Sequence, residues 1–164
     1  MQRRGISLFL AALLIVAGLA TTAVAQPSNY TAHLTGEAEV PAVETRTVGQ
    51  AVFQLNRDGT ELRFRLIVAN IQDVTMAHIH CAPEGENGAV TAWLYPDDGP
   101  PSAQIDGRFS GVLSTGVLTD AHITDGCGGV DDLADLVELI EDGGAYVNVH
   151  TVENPAGEIR GQIG

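Results

Sequence analysis

The chain contains no lysine, and its basic residues are eight arginines. They are outnumbered by 21 acidic residues, which leaves a formal net charge of −13 at pH 7. A surface of this charge repels the phosphates of nucleic acids and of anionic lipids, so neither is expected as a partner. Adaptation to a salty or cation-rich exterior would produce the same excess of acids without any specific partner.

Several common catalytic motifs are also missing. The sequence has no Gly-x-Ser-x-Gly nucleophile elbow and no phosphate-binding Walker loop. Neither cysteine forms a convincing nucleophile pair with a histidine, because alternation along a strand turns Cys81 away from His80. The acidic stretches 96–99 and 125–132 lack the oxygen spacing of an EF-hand. These absences argue against the commonest hydrolase, nucleotide-binding and calcium-binding classes.

The first 25 residues are typical of a secretory signal peptide. Two arginines precede an apolar run that ends near residue 20, and small residues just before Gln26 offer a cleavage site. A single-pass membrane anchor is the alternative, although the run is short for a span of about 20 residues. We predict a signal peptide at 1–25, one domain at 26–164, no membrane span after cleavage, and a secreted or periplasmic location.

The predicted domain contains two cysteines, Cys81 and Cys127. In an oxidising compartment they are expected to form a disulfide, which would close a loop of roughly 45 residues. Metal binding is the alternative, but two thiols at this separation are a weak metal signature. The disulfide is therefore the preferred interpretation.

Most of the domain shows the period-two alternation of half-buried strands. The pattern predicts about eight strands, at 29–35, 51–56, 61–69, 74–80, 89–95, 107–113, 145–151 and 157–163. Turn residues at 57–59 predict a hairpin between the second and third of these strands. Apolar residues at helical spacing predict one short amphipathic helix near 131–142. The expected fold is all-β, an antiparallel β-sandwich with one helix.

Two of the five histidines lie one residue apart in the predicted strand 74–80. Because residues i and i+2 of a strand point to the same face, His78 and His80 project together, about 6.7 Å apart. Ile79 then faces the other way. Two imidazoles in this arrangement can converge on one metal ion. The competing interpretation is a polar face whose rings are solvated or hydrogen-bonded to each other.

The last predicted hairpin supplies a third histidine. The register that places its polar residues on one side sets His150 opposite Glu158 and Asn148 opposite Arg160. Three roles are open for Glu158: it ligates the ion, orients the His150 ring, or pairs with Arg160. The predicted metal ligands are His78, His80, His150 and Glu158.

Three other residues are weaker candidates for the same site. His33 lies on the outward face of an early strand, where a plain surface histidine is the simpler interpretation. His122 lies in a predicted loop near Cys127. Glu39 could supply a carboxylate, but it is one acid among 21.

Three stretches resemble the CHRD domain, which is named for its repeats in the extracellular growth-factor antagonist chordin. They are GEAEVPAVETRTVGQAVFQL, AHIHCAPEGENGAVTAWLY and GGAYVNVHTVENPAGEIRGQI. The resemblance runs from about Tyr30 to Gly164, and YVNVHT followed by GEIRGQ is its most specific part. Ala82 stands where the family pattern has a glycine. The chain resembles the single-domain exported bacterial members, to which chordin's growth-factor binding does not transfer.

The resemblance also implies an architecture similar to that of copper-zinc superoxide dismutase, and some CHRD proteins have been proposed to dismutate superoxide. The chain does not have that enzyme's full ligand set, because it has five histidines and no metal loop. Three histidines with a nearby carboxylate could instead hold one divalent transition metal ion, either copper, zinc, manganese or iron.

Two function classes follow. The leading hypothesis is an extracytoplasmic binding module with a histidine metal site, whose further partner is an extracellular protein or a small ligand. The alternative is a metal-dependent, superoxide dismutase-like oxidoreductase, in which Asn148 and Arg160 support the ligands or attract the anion. Without Arg3 and Arg4 the net charge would be about −15, which argues mildly against an anionic substrate.

Overall fold

The computed structural model of the chain describes residues 28–96 and 104–164, so the predicted signal peptide at 1–25 lies outside the described residues. These ranges contain seven strands, one α-helix and a 3₁₀ turn at Asp120–His122. The strands are β1 (Asn29–Thr35), β2 (Val48–Leu55), β3 (Leu62–Cys81), β4 (Ala89–Tyr95), β5 (Ile105–Leu118), β6 (Ala145–Thr151) and β7 (Ile159–Gln162). All named strand pairs are antiparallel, which confirms the predicted all-β, sandwich-like fold class.

The 20-residue strand β3 connects the two halves of the fold. Its first half pairs with β2 and β5, and its second half pairs with β6 and β4. Between the halves, Asn70 and Asp73 have positive φ angles of 60° and 51°. Residues in this conformation bend the chain while the strand continues to pair. The predicted strands 61–69 and 74–80 are therefore one bent strand.

Five of the strands form a closed ring of hydrogen-bonded pairs that includes β3. The hydrogen-bonded order runs β2–β1–β7–β6–β3, and β3 pairs again with β2. Strand β6 thus lies between β7 and β3, and all seven of its residues are buried. Any polar side chain on β6 must therefore find its partners inside the protein.

The helix α1 (Leu133–Glu141) forms where the sequence predicts it. The side chain of Asp132 caps its start by accepting a hydrogen bond from the Asp135 backbone N–H, and Gly143, with φ 72°, follows its end. Its apolar side is buried against the sheet. Within the two described ranges, no helix has the length and apolar character needed to span a membrane.

The predicted disulfide between Cys81 and Cys127 is present, with the two Cα atoms 6.1 Å apart. Cys81 is the last residue of β3. The bond therefore ties the end of this strand to the loop that precedes α1.

Replacing Cys81 and Cys127 together by serine should lower the free energy of unfolding by about 4 kcal/mol, the chain-entropy value for a loop of this length. Urea unfolding of both proteins measures the difference. Reducing agent should destabilise the wild type by a similar amount and leave the double variant unchanged. Equal unfolding midpoints with equal slopes would show that the cross-link adds no stability.

Candidate metal site

Three histidines converge where β3 and β6 pair. One ring nitrogen each from His78, His80 and His150 can be chosen so that all three lie within 4.8 Å of one another. The Nδ1 atom of His78 is hydrogen-bonded to the Nε2 atom of His150, with 3.1 Å between the two nitrogens. The three residues are only 3%, 9% and 6% exposed, respectively. The convergence expected from strand alternation is therefore present.

The ring orientations of two of these histidines are set by backbone carbonyl groups. The Nδ1 atom of His80 lies 3.1 Å from the carbonyl oxygen of Gly88, and that of His150 lies 3.1 Å from the carbonyl oxygen of Pro155. Because a carbonyl oxygen can only accept, both Nδ1 atoms carry the proton and both Nε2 atoms keep a lone pair. Metal-binding histidines typically show this arrangement.

Two ring nitrogens of the group have no hydrogen-bond partner among the described residues. They are the buried Nε2 atoms of His78 and His80. A buried polar atom without a partner is unfavourable, so its presence in a folded protein calls for a physical explanation. A metal ion that accepts these lone pairs is one explanation that fits the donor set.

The three imidazoles are held in the neutral form. Burial, reinforced by the neighbouring histidines, lowers the pKa of His78 to about 3. Burial likewise lowers the pKa of His150 to about 4, and it lowers that of His80. Neutral imidazole is the form that binds metal ions, so no proton has to be displaced at neutral pH.

Aromatic side chains pack around the histidines. The Trp93 ring meets His78 edge-on, with 4.2 Å between ring centroids, and the Tyr146 ring stacks on His80 at 4.9 Å. On the β7 side, the guanidinium carbon of Arg160 lies 3.4 Å from the Tyr146 ring centroid. These contacts limit the rotation of the imidazole rings.

The predicted hairpin register is confirmed, since Asn148 pairs with Arg160 across β6 and β7. Arg160 is 2% exposed, and its guanidinium donates to the Asn87 side chain at 3.3 Å and to the Pro83 carbonyl at 3.2 Å. Both acceptors belong to the loop between β3 and β4. Arg160 therefore braces this loop, which also contains the Gly88 carbonyl group that orients His80.

Glu158 lies outside the three-histidine group. Its carboxylate accepts hydrogen bonds from the Thr45, Thr47 and Thr151 hydroxyl groups at 2.8, 2.5 and 2.8 Å, and from the Asn154 side chain at 3.4 Å. Burial alone would raise the pKa of Glu158, but these hydrogen bonds outweigh it and lower the pKa. The acceptor that orients His150 is the Pro155 carbonyl group and not Glu158.

Glu39, a weak candidate in the sequence, lies beside the site instead. Both of its carboxylate oxygens accept from the Asn148 side-chain nitrogen, at 3.0 and 3.1 Å. Burial raises the pKa of Glu39 to about 7, although the Asn148 hydrogen bond and the charge of Arg160 oppose the shift. A Cβ atom on Gly157 would lie 2.7 Å from the carboxylate, so this close approach requires glycine. No local pattern marks Glu39, because its partner lies 109 residues away.

The other two histidines do not join the group. His33 lies on the exposed face of β1. His122 ends the short 3₁₀ turn, where its Nδ1 atom accepts from the Thr119 backbone N–H at 3.1 Å.

The described residues thus form an antiparallel, all-β protein with a buried three-histidine group on two adjacent strands. The family model of the CHRD domain matches residues 30–163, which include both histidine segments. The chain therefore belongs to the CHRD family, as its sequence motifs predicted. Comparison with curated proteins and with solved structures gives no match.

Replacing Glu158 by glutamine should destabilise the fold at pH 7 by on the order of 2 kcal/mol, because an amide oxygen accepts weaker hydrogen bonds than a carboxylate. The folded-state pKa of Glu158 is lowered, so its stabilising contribution is present above the unfolded-state pKa and is lost as the pH falls through the folded-state value. The difference between the proteins should therefore shrink in acid.

Urea unfolding of both proteins at pH 7 and at about pH 3 measures this change. Glu153→Gln, which alters an exposed acid in the same loop, is the matched control and should change stability little at either pH. A Glu158→Gln difference that stays constant across this range would contradict the explanation.

Proposed function

We propose that the protein is an exported CHRD module that binds one transition metal ion through His78, His80 and His150. The observation that carries the proposal is the convergence of three buried, neutral imidazoles on adjacent strands. Imidazole nitrogen suits copper, zinc and iron, whereas manganese prefers oxygen ligands. Since Glu158 lies outside the group, the donor set favours the first three metals.

The residues around the histidines support this role. The Gly88 and Pro155 carbonyl groups set the orientation of two rings, while Trp93 and Tyr146 pack against the ring faces and edges. Because the rings are already oriented, binding an ion requires little further ordering beyond breaking the hydrogen bond between His78 and His150. A bound ion would join β3 to β6, and it would supply either structural cross-linking or redox chemistry according to its identity.

The superoxide dismutase-like alternative has less support. An anionic substrate needs an accessible positive group near the ion, and Arg160 is the predicted group. Its guanidinium is buried against the Tyr146 ring, and its hydrogen bonds go to the Asn87 side chain and the Pro83 carbonyl group. Metal-loaded protein that consumes superoxide no faster than the free ion would eliminate this alternative and leave the binding module in place.

The purified, untagged domain should contain close to one equivalent of metal by elemental mass spectrometry. His78→Ala and His150→Ala should each abolish binding, because each removes one of three ligands. His33→Ala is the matched control, since His33 is an exposed histidine on the same sheet. Trp93 is the only tryptophan and contacts His78, so its fluorescence should report titration with metal. Unchanged metal affinity in both site variants would leave the histidines as a polar face.

Export is the second part of the proposal. A disulfide is typical of proteins in oxidising compartments, and residues 1–25 have the composition of a signal peptide. N-terminal sequencing of protein recovered outside the cytoplasm should begin at Gln26. An intact N-terminus on membrane-bound protein would instead support the anchor.

A further inference from the structure

We propose that Met76 supplies a thioether ligand to the histidine site and makes the site selective for copper, above all copper(I). This inference rests on the proposed metal site and adds the identity of the ion. It follows from the position of Met76 on β3 and from the chemistry of sulfur.

A bulge in β3 brings Met76 onto the histidine face. Val74 and Ala77 are both fully buried in the core although they lie three residues apart, so the alternation shifts by one residue between them. The pairing with β6 shows the same shift, because Val74 pairs with Thr151 and Met76 pairs with His150.

From Met76 to Cys81 the pairing with β6 proceeds without interruption. Ala77 and Ile79 face the core in this segment, so Met76, His78 and His80 share the opposite face. Between Met76 and Cys81, the histidine face of β3 therefore carries one methionine and two histidines.

Met76 also lies next to the third histidine. Residues directly opposite each other on antiparallel strands have Cβ atoms about 4.5–5.5 Å apart, and Met76 is the register partner of His150. The methionine side chain is long, unbranched and flexible. Its sulfur is therefore within reach of an ion held between His78 and His150.

A thioether distinguishes among the metals that imidazole accepts. It is a soft, neutral ligand that suits the soft copper(I) ion. Zinc and iron(II) are harder ions that bind sulfur chiefly as the charged thiolate, so an uncharged thioether adds little for them at a site of nitrogen donors. The two cysteines are joined in the disulfide, so they do not compete. The only other methionine is Met1, in the predicted signal peptide, which leaves Met76 as the single sulfur ligand available to the predicted mature chain.

X-ray absorption at the copper edge tests this directly. Untagged mature protein is loaded with copper(I) without oxygen, and its spectrum is compared with that of Met76→Leu, a substitution that conserves volume. The wild type should show one sulfur neighbour besides nitrogen, and the variant should show nitrogen alone. Because the disulfide sulfurs are not available, a sulfur signal identifies Met76.

Affinity provides a second measurement on the same two proteins. Competition with a copper(I) chelator should show that Met76→Leu weakens copper binding by roughly 10- to 100-fold, the range seen when groups supporting a metal site are removed. Zinc affinity should change by less than about twofold, because the three histidines remain. Retained zinc binding also shows that the variant is folded around an intact site.

The outcomes separate the two proposals. Copper bound by nitrogen alone in the wild type, with equal copper affinities in both proteins, would overturn the role of Met76 and leave the three-histidine site standing. Met76 would then be an apolar cover over the rings. If the wild type binds neither copper nor zinc, the metal site fails, and this inference fails with it.

Discussion

The antiparallel pairing of β3 with β6 is the constraint on which the rest of the site depends. This pairing places His78 and His80 on one strand beside His150 on the next. All seven residues of β6 are buried, so the site lies inside the protein. The bend in β3 makes this possible, because it lets one strand take part in both halves of the fold. A shift of one residue in this pairing would move every side chain of the strand to the other face.

The buried polar side chains of this acidic protein differ in the partners that surround them. Glu158 retains its charge because four donors surround it, whereas Glu39, with one amide donor, has its pKa raised by burial. Arg160 is accommodated by an aromatic face and two hydrogen-bond acceptors. The histidines differ from all three, since two of their buried nitrogens have no protein partner in the described structure. Four other buried side-chain atoms in the described ranges share this lack of a partner, so it is the convergence of the three imidazoles that marks the histidines as the candidate ligands.

Much of the fold could be predicted from local patterns. Period-two alternation located the strands, helical spacing located α1, and the single register that keeps polar residues of the last hairpin together is the register observed. The two predicted strands that proved to be one, β3, show where local patterns fail. Turn-forming residues such as Asn70 and Asp73 suggest an end, yet β5 continues to pair across the bend.

The sequence by itself determined that His78 and His80 share a face, because alternation within a regular stretch of strand depends only on neighbouring residues, and its motifs determined the family. Only the tertiary structure decided which faces meet. In the folded protein, the Glu158 carboxylate accepts hydrogen bonds from three threonines and an asparagine, and the Glu39 carboxylate accepts from Asn148. The Arg160 guanidinium packs on the Tyr146 ring. These contacts join distant segments, and several donors of similar chemistry compete for each acidic group. Which donor bonds to a given carboxylate depends on which donors the closed sheet and its loops bring close to that carboxylate.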